Sequence, residues 1–173
     1  MISWCPMRYL LTSTVVLLLT VIPAFSQGGA QPEADLSGGP FIGGGGIFNL
    51  DRNTSDLALE MGGALDLRLR EQLRLTGSIG FLANVSDNDA FDDRSILTTA
   101  GMLYGAASSR PFTPFFSTGY AYAHGETASH HLFYAGGGIR HWYGETSGWQ
   151  VEFRDYLNGD LNFIQVRLAV LLR

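Results

Sequence analysis

From Leu57 to Leu69 every odd position is Leu, Met or Gly, while the even positions are Ala58, Glu60, Gly62, Ala64, Asp66 and Arg68. Side chains alternate across a β-strand, so this run makes one strand with an unbroken apolar face and a second face bearing three charges. A chain holding several such strands must find an apolar surrounding for one face and an enclosure or water for the other.

The N-terminus says where that surrounding is to be sought. The segment MISWCPMRYLLTSTVVLLLTVIPAFS carries one cation, Arg8, then an apolar stretch from Tyr9 to Ile22, then Pro23 and the small-residue pattern Ala24, Phe25, Ser26. This is the layout of a secretory signal peptide cleaved before Gln27, and its apolar stretch is shorter than the ~20 residues of a spanning helix. The expected organisation is a signal over 1–26, a flexible leader rich in Gly and Pro over 27–40, and a single barrel domain over 41–173. The lone Cys5 lies in the signal, so no disulfide or thiol chemistry is expected in the exported chain.

All 11 basic residues are Arg, with a net charge of −5. Planar guanidinium groups suit enclosed, bidentate ion pairs, and no basic stripe of the kind nucleic acid requires is present. No later apolar run approaches the length of a membrane helix, so a bilayer-spanning form of this chain has to be a closed barrel.

Eight strands are predicted: Phe41 to Leu50, Leu57 to Leu69, Leu73 to Asn84, Ile96 to Ala106, Phe115 to Ala123, Leu132 to Tyr143, Trp149 to Tyr156 and Asn162 to Leu172. A turn centred near Glu71 sets Arg68 opposite Arg74 and Asp66 opposite Thr76, so that the charged faces of two strands coincide. Ser108 to Pro114, with two prolines, reads as a turn, and Gly144 to Gly148 as another that sets Arg140 opposite Glu152. In the fifth strand Ser117, Gly119, Ala121 and Ala123 form a small-residue face that fits a cramped interior.

Alternation alone does not say which face is inside. A soluble lipocalin-like barrel binding a small apolar ligand would pack the leucines within and leave the charges in water. Two groups of aromatics favour the reverse. Phe48, Phe81, Tyr122, Phe133, Tyr156 and Phe163 fall toward one end of the strands, and Phe41, Phe112, Phe115, Tyr143 and Trp149 toward the other, as headgroup interfaces select. An arginine on a lipid-facing strand costs roughly 2–4 kcal/mol at the bilayer midplane, so the arginines turn inward. The expected fold is therefore an eight-stranded antiparallel up-and-down transmembrane β-barrel. Its interior would be filled by an ion-pair network of Glu60, Asp66, Arg68, Arg74, Arg140, Glu152, Arg154 and Arg167 rather than by a pore.

The signal peptide, the PFFSTGYAYAHG strand, the GGGIRHWYGETSGWQVEFRDY hairpin and the alternating last strand together resemble the small outer-membrane β-barrel proteins of Gram-negative bacteria, the OmpA/OmpX-like barrels, over most of residues 38 to 173. The resemblance implies insertion in the outer membrane, with short turns in the periplasm and longer loops outside. Lipid and lipopolysaccharide become the expected partners of a monomer, along with whatever the external loops meet. Those loops would be Asp51 to Asp56, Val85 to Ser95, His124 to His131 and Leu157 to Asp160.

Catalytic and ligand-binding alternatives have weaker support. Residues 151 to 168 resemble the C-terminal part of lipid A deacylases, whose His and Ser lie two positions apart, but the matching positions are Asp155 and Leu157. His124, Glu126, His130 and His131 lack the spacing of a helix-borne metal site. Asp87, Asp89, Asp92 and Asp93 form an acidic loop without EF-hand spacing, suited to loose divalent bridges to lipopolysaccharide. Gly43 to Gly46 precede no helix and so make no phosphate cradle. The expectation is a non-enzymatic barrel without metal or cofactor, serving envelope structure or surface interaction.

Overall fold

A computed structural model describes residues 35–49, 54–85, 94–105, 112–126, 128–143, 145–159 and 161–173. They form eight strands: β1 (Leu36–Asn49), β2 (Thr54–Arg68), β3 (Leu73–Asn84), β4 (Arg94–Gly105), β5 (Phe112–Gly125), β6 (Ser129–Trp142), β7 (Ser147–Asn158) and β8 (Leu161–Leu172). Each strand pairs antiparallel with its sequence neighbours and β8 closes on β1, giving a barrel with no free edge. The strands run from 12 to 15 residues, more than the ~9–11 that a tilted strand needs to cross a bilayer. The expected signal peptide, residues 1–26, and residues 27–34 of the expected leader lie outside the described residues, as do 50–53, 86–93 and 106–111.

The alternation resolves as an apolar outside. Leu57, Leu59, Met61, Leu65 and Ile79 are each at least 56% exposed, whereas Glu60, Asp66, Arg74, Arg140, Glu152, Arg154 and Arg167 are at most 8% exposed. This is the reverse of a soluble barrel, because burying the leucines is what would make that fold stable in water. The β2–β3 register pairs Arg68 with Arg74 and Asp66 with Thr76, as the turn predicts. In β5, Ser117, Ala121 and Ala123 are buried while Phe116 and Tyr120 face out.

Several boundaries differ from the sequence reading. Leu36 to Pro40 belong to β1 rather than to a leader, because they pair with β2 from Leu36↔Leu67 to Pro40↔Gly63. Pro40 has no N–H to donate, and the β1–β8 ladder breaks there, passing from Gly38↔Leu172 to Phe41↔Ala169. Pro114 likewise stands in β5 rather than in a turn, opposite Ile139 of β6 and just past the last β4–β5 pair, Gly105↔Phe115. The segment from His124 to His131 is mostly strand, since β5 continues to Gly125 and β6 starts at Ser129. At the β7–β8 turn Asn158 pairs with Leu161, and Gly159 takes the left-handed conformation such a tight hairpin demands, φ +43°.

The aromatic belts are thinner than expected. Phe48, Phe81, Phe133, Phe112 and Tyr143 are exposed, but Phe41, Phe115, Tyr156 and Phe163 fall on the inward parity and are buried inside the barrel. Position along the strand was the right clue for the first group, and parity overrides it for the second.

Because Met61 stands at the middle of β2 on the outer face, the fold predicts that Met61→Arg lowers the unfolding free energy in phospholipid bilayers by about 2–4 kcal/mol. Denaturant titration of the bilayer-inserted protein measures this. A change within ~0.5 kcal/mol, the usual cost of a surface substitution in water, would place the face in water instead.

Candidate functional site

The interior divides into two halves along the barrel axis, set by what each strand turns inward. Nearer the end that carries the start of β1, the β2–β3 turn and the C-terminus, the inward residues are charged and polar. Arg140 of β6 reaches across to form an ion pair with Asp66 of β2, and its Nε donates to Gln150 Oε1 at 2.9 Å. On β7, Arg154 Nε lies 2.8 Å from Glu152 Oε1. Glu152 also accepts from Ser117 Oγ at 2.5 Å and from Gln150 Nε2 at 3.2 Å. Glu60 accepts from Gln165 Nε2 at 2.6 Å and lies 3.8 Å from Arg167 Nε. The Arg167 guanidinium is stacked 3.7 Å above the Phe41 ring, a cation–π contact that takes the place of a second carboxylate.

Glycine makes room for this lattice. Gly43 of β1 lies between Glu60 of β2 and Arg167 of β8 in the ladder, and a Cβ there would stand 2.7 Å from Gln165 Nε2. The run Gly43–Gly46 therefore serves packing: Gly43 leaves space for the Gln165 side chain, and Gly45 for the β8 backbone at Ile164, whose carbonyl oxygen a Cβ would overlap.

At the axial end of the lattice Arg74 donates to Ser37 Oγ at 3.3 Å, and Arg68 and Arg74 approach Asp35 at 3.2 and 3.8 Å. Arg68 is the member that stands at the mouth, with its side chain 34% exposed.

Toward the opposite end the interior turns apolar. Ile47, Ala58, Leu82, Leu97, Ala121, Ala123, Leu132, Leu161 and Phe163 form one buried cluster with Tyr134 and Tyr156. The tyrosines stand between the halves: Tyr156 stacks on Phe163 at 5.2 Å, while its hydroxyl donates to Gln165 Oε1 at 3.4 Å and accepts from Arg154 Nη1 at 3.4 Å. Arg154 lies 4.5 Å over the Tyr134 ring. A buried charge next to hydrocarbon thus meets aromatic faces first.

Two parts of this arrangement depart from the sequence reading. Arg140 is opposite Gln150, and Glu152 is opposite Gly138, so the expected Arg140–Glu152 pair does not form. Strand β6 runs to Trp142 and the hairpin closes two residues tighter than a five-residue loop allows. Ala121 and Ala123 of the apolar cluster lie on the small-residue face that the sequence reads as interior, whereas Ile47 and Leu97 lie on predicted strands with no charge to mark the inward parity. Gln150 and Gln165 share the parity of Glu152 and Arg167, which is the signal that could have found them, while Ser117 lies on the small-residue face already read as interior; Asp35 lies in what reads as a leader.

His124 and His131 lie against the Tyr122 ring, at 6.1 and 5.0 Å, and His131 is hydrogen-bonded to the Tyr120 hydroxyl. His130 is half-buried on the inward parity of β6 and Glu126 is exposed, so the four residues do not converge. The acidic residues Asp87, Asp89, Asp92 and Asp93 lie outside the described residues.

Removing one member of a buried charge pair leaves the other uncompensated. Glu152→Gln is expected to lower unfolding free energy by about 3–5 kcal/mol, read by denaturant titration in lipid or detergent. A loss under ~1 kcal/mol would mean that Arg154 is solvated rather than enclosed.

No family model matches the chain, and no curated protein matches it. Solved structures do. Neisserial surface protein A (NspA) aligns with 82% of this chain and 99% of its own at a TM-score of 0.62 and 11% identity. Ail, the attachment invasion locus protein of Yersinia pestis, aligns with 79% of this chain and 97% of its own at 0.54 and 9%. The N-terminal β-barrel domain of Pseudomonas aeruginosa OprF aligns with 81% of this chain and 100% of its own at 0.51 and 14%. The chain thus has the fold of the small eight-stranded OmpA/OmpX-like membrane barrels.

Proposed function

We propose that this chain is a non-enzymatic, monomeric barrel of the outer membrane, exported through a cleaved signal peptide, that acts as a closed structural element of the envelope. The observation that carries the reading is the filled interior. Leu97, Leu132, Ile47 and Phe163 are at most 1% exposed, and within the ionic half the space lined by Asp66, Glu152, Arg154 and Arg167 measures about 20 Å³, room for about one water. A solute has no path of its own size through such packing.

Lipid and lipopolysaccharide are the partners that the outer face suits, through its exposed Leu, Ile and Val side chains and its terminal aromatics. Recognition of other molecules would fall to the loops at the end opposite the termini. Of these, the segment between β3 and β4, residues 85–93 rather than the expected Val85 to Ser95 because Arg94 and Ser95 pair in β4, is the longest and most acidic, and divalent cations would bridge it to lipopolysaccharide phosphates. Asp155 and Leu157, at the positions where a lipid A deacylase would carry its His and Ser, supply neither the imidazole nor the nucleophilic hydroxyl of that chemistry.

Reconstitution in planar lipid bilayers tests the closed state. The protein is expected to insert without discrete conductance steps, to show heat-modifiable gel mobility, to fractionate with the outer membrane and to release no acyl chain from lipid A. Regular conductance steps, a soluble periplasmic product or acyl release would each overturn the proposal.

A further inference from the structure

The mouth at the termini end holds more positive charge than its own carboxylates answer. A cup of about 90 Å³ opens there, with Arg68, Arg74, Arg140 and Arg173 on its wall beside Trp142 and a single carboxylate, Glu71. Three of these guanidinium groups converge on one further carboxylate, Asp35: Arg68 at 3.2 Å, Arg173 at 3.6 Å and Arg74 at 3.8 Å. Only the first is close enough to be a good charge-assisted hydrogen bond. Arg140 is 4% exposed and spends Nη2 on Asp66, while its Nη1 has no acceptor among the described residues. Arg68 Nε is buried and equally without one.

Stability alone disfavours this arrangement. Arg68 and Arg74 are direct cross-strand neighbours, and like charges so placed repel. An anion that takes hydrogen bonds from several guanidinium groups at once removes that cost, and planar guanidinium forks match the oxygen spacing of phosphate and carboxylate. The cup is several times roomier than the one-water space of the ionic half, which suits a small tetrahedral oxyanion.

We propose that the cup formed by Arg68, Arg74, Arg140 and Arg173 is a binding site for a phosphate group. Its rim lies level with a cluster of outward aromatic rings: Phe112 stacks on His141 at 4.4 Å, and Trp149 and Tyr143 pack on the same imidazole at 5.7 and 5.1 Å. Rings of this kind mark the headgroup level of a leaflet. The phosphate therefore has two possible sources, a lipid headgroup folded over the rim or the free ion, and both present the same oxygens. The site does not depend on the envelope role proposed above.

The test uses the chain refolded in dodecyl maltoside micelles, which contain no phosphate, at low ionic strength. Inorganic phosphate is titrated in, with binding followed by calorimetry and by tryptophan fluorescence, because Trp142 lies on the wall with the Arg173 guanidinium 3.9 Å over its ring. Saturable binding is expected, and chloride at equal ionic strength should not reproduce it. The double variant Arg68→Gln/Arg173→Gln, with both changes at the partly exposed rim, should bind at least about tenfold more weakly. Heat-modifiable mobility checks its fold, and either single variant reads the same loss in smaller measure. Doping the micelles with phosphatidic acid separates the sources: competition with inorganic phosphate assigns the headgroup, and an unchanged phosphate affinity assigns the free ion. Absence of saturable binding to the unaltered chain, or an affinity that the double variant does not change, overturns the proposal.

Discussion

The cost of a guanidinium in hydrocarbon governs the rest of this structure. A charged side chain on the lipid face is penalised by several kcal/mol near the midplane, and a strand offers only one other place for it, the barrel axis. Once Arg74, Arg140, Arg154 and Arg167 point inward, their enclosure demands partners: Asp66 and Glu60 reach Arg140 and Arg167 from strands distant in sequence, Glu152 meets Arg154 from two residues away on the same strand, and Asp35 approaches Arg74. Closure of β8 on β1 completes the same requirement for the backbone, because an open edge would leave N–H and C=O groups facing lipid.

The interior then separates by polarity along its axis. Ion pairs buried among hydrogen-bonding side chains contribute little net stability compared with apolar packing, and losing one partner is costly. In this barrel the apolar cluster from Ile47 to Phe163 provides the packing, whereas the charged half carries pairs between strands distant in sequence, Arg140 with Asp66 and Arg167 with Glu60. Tyr134 and Tyr156 join the two, giving ring faces to one side and hydroxyl groups to the other.

Much of this was legible in the chain. The period of two from Leu57 to Leu69 fixed the face of β2, and the short turn at Glu71 then determined the register of β3, because a one-residue slip would put Arg74 in lipid. The seven most buried of the eight proposed network residues share the inward parity of their strands for the same reason. What stayed hidden has physical causes. An inward Leu97 reads like an outward leucine because no charged residue in its predicted strand, 96–106, reveals the parity. Phe163 and Tyr156 sit near strand ends, where position suggests an interfacial belt although parity turns them inside. Asp35 follows a Gly- and Pro-rich stretch, and only closure of the barrel brings it to Arg68, Arg74 and Arg173. The Arg140 pairing lies two residues from the expected one because the length of the loop between β6 and β7 sets their register.

The central claim is the direction in which each parity points. Nitroxide labels placed one at a time at Leu57, Ala58, Leu59, Glu60 and Met61 in bilayer-inserted protein would read it directly, through relaxation by oxygen, which dissolves in hydrocarbon, and by a water-soluble nickel chelate. The account predicts oxygen accessibility at 57, 59 and 61 and protection from both relaxants at 58 and 60. Accessibility to the chelate at the odd positions, or the loss of alternation along the strand, would contradict it.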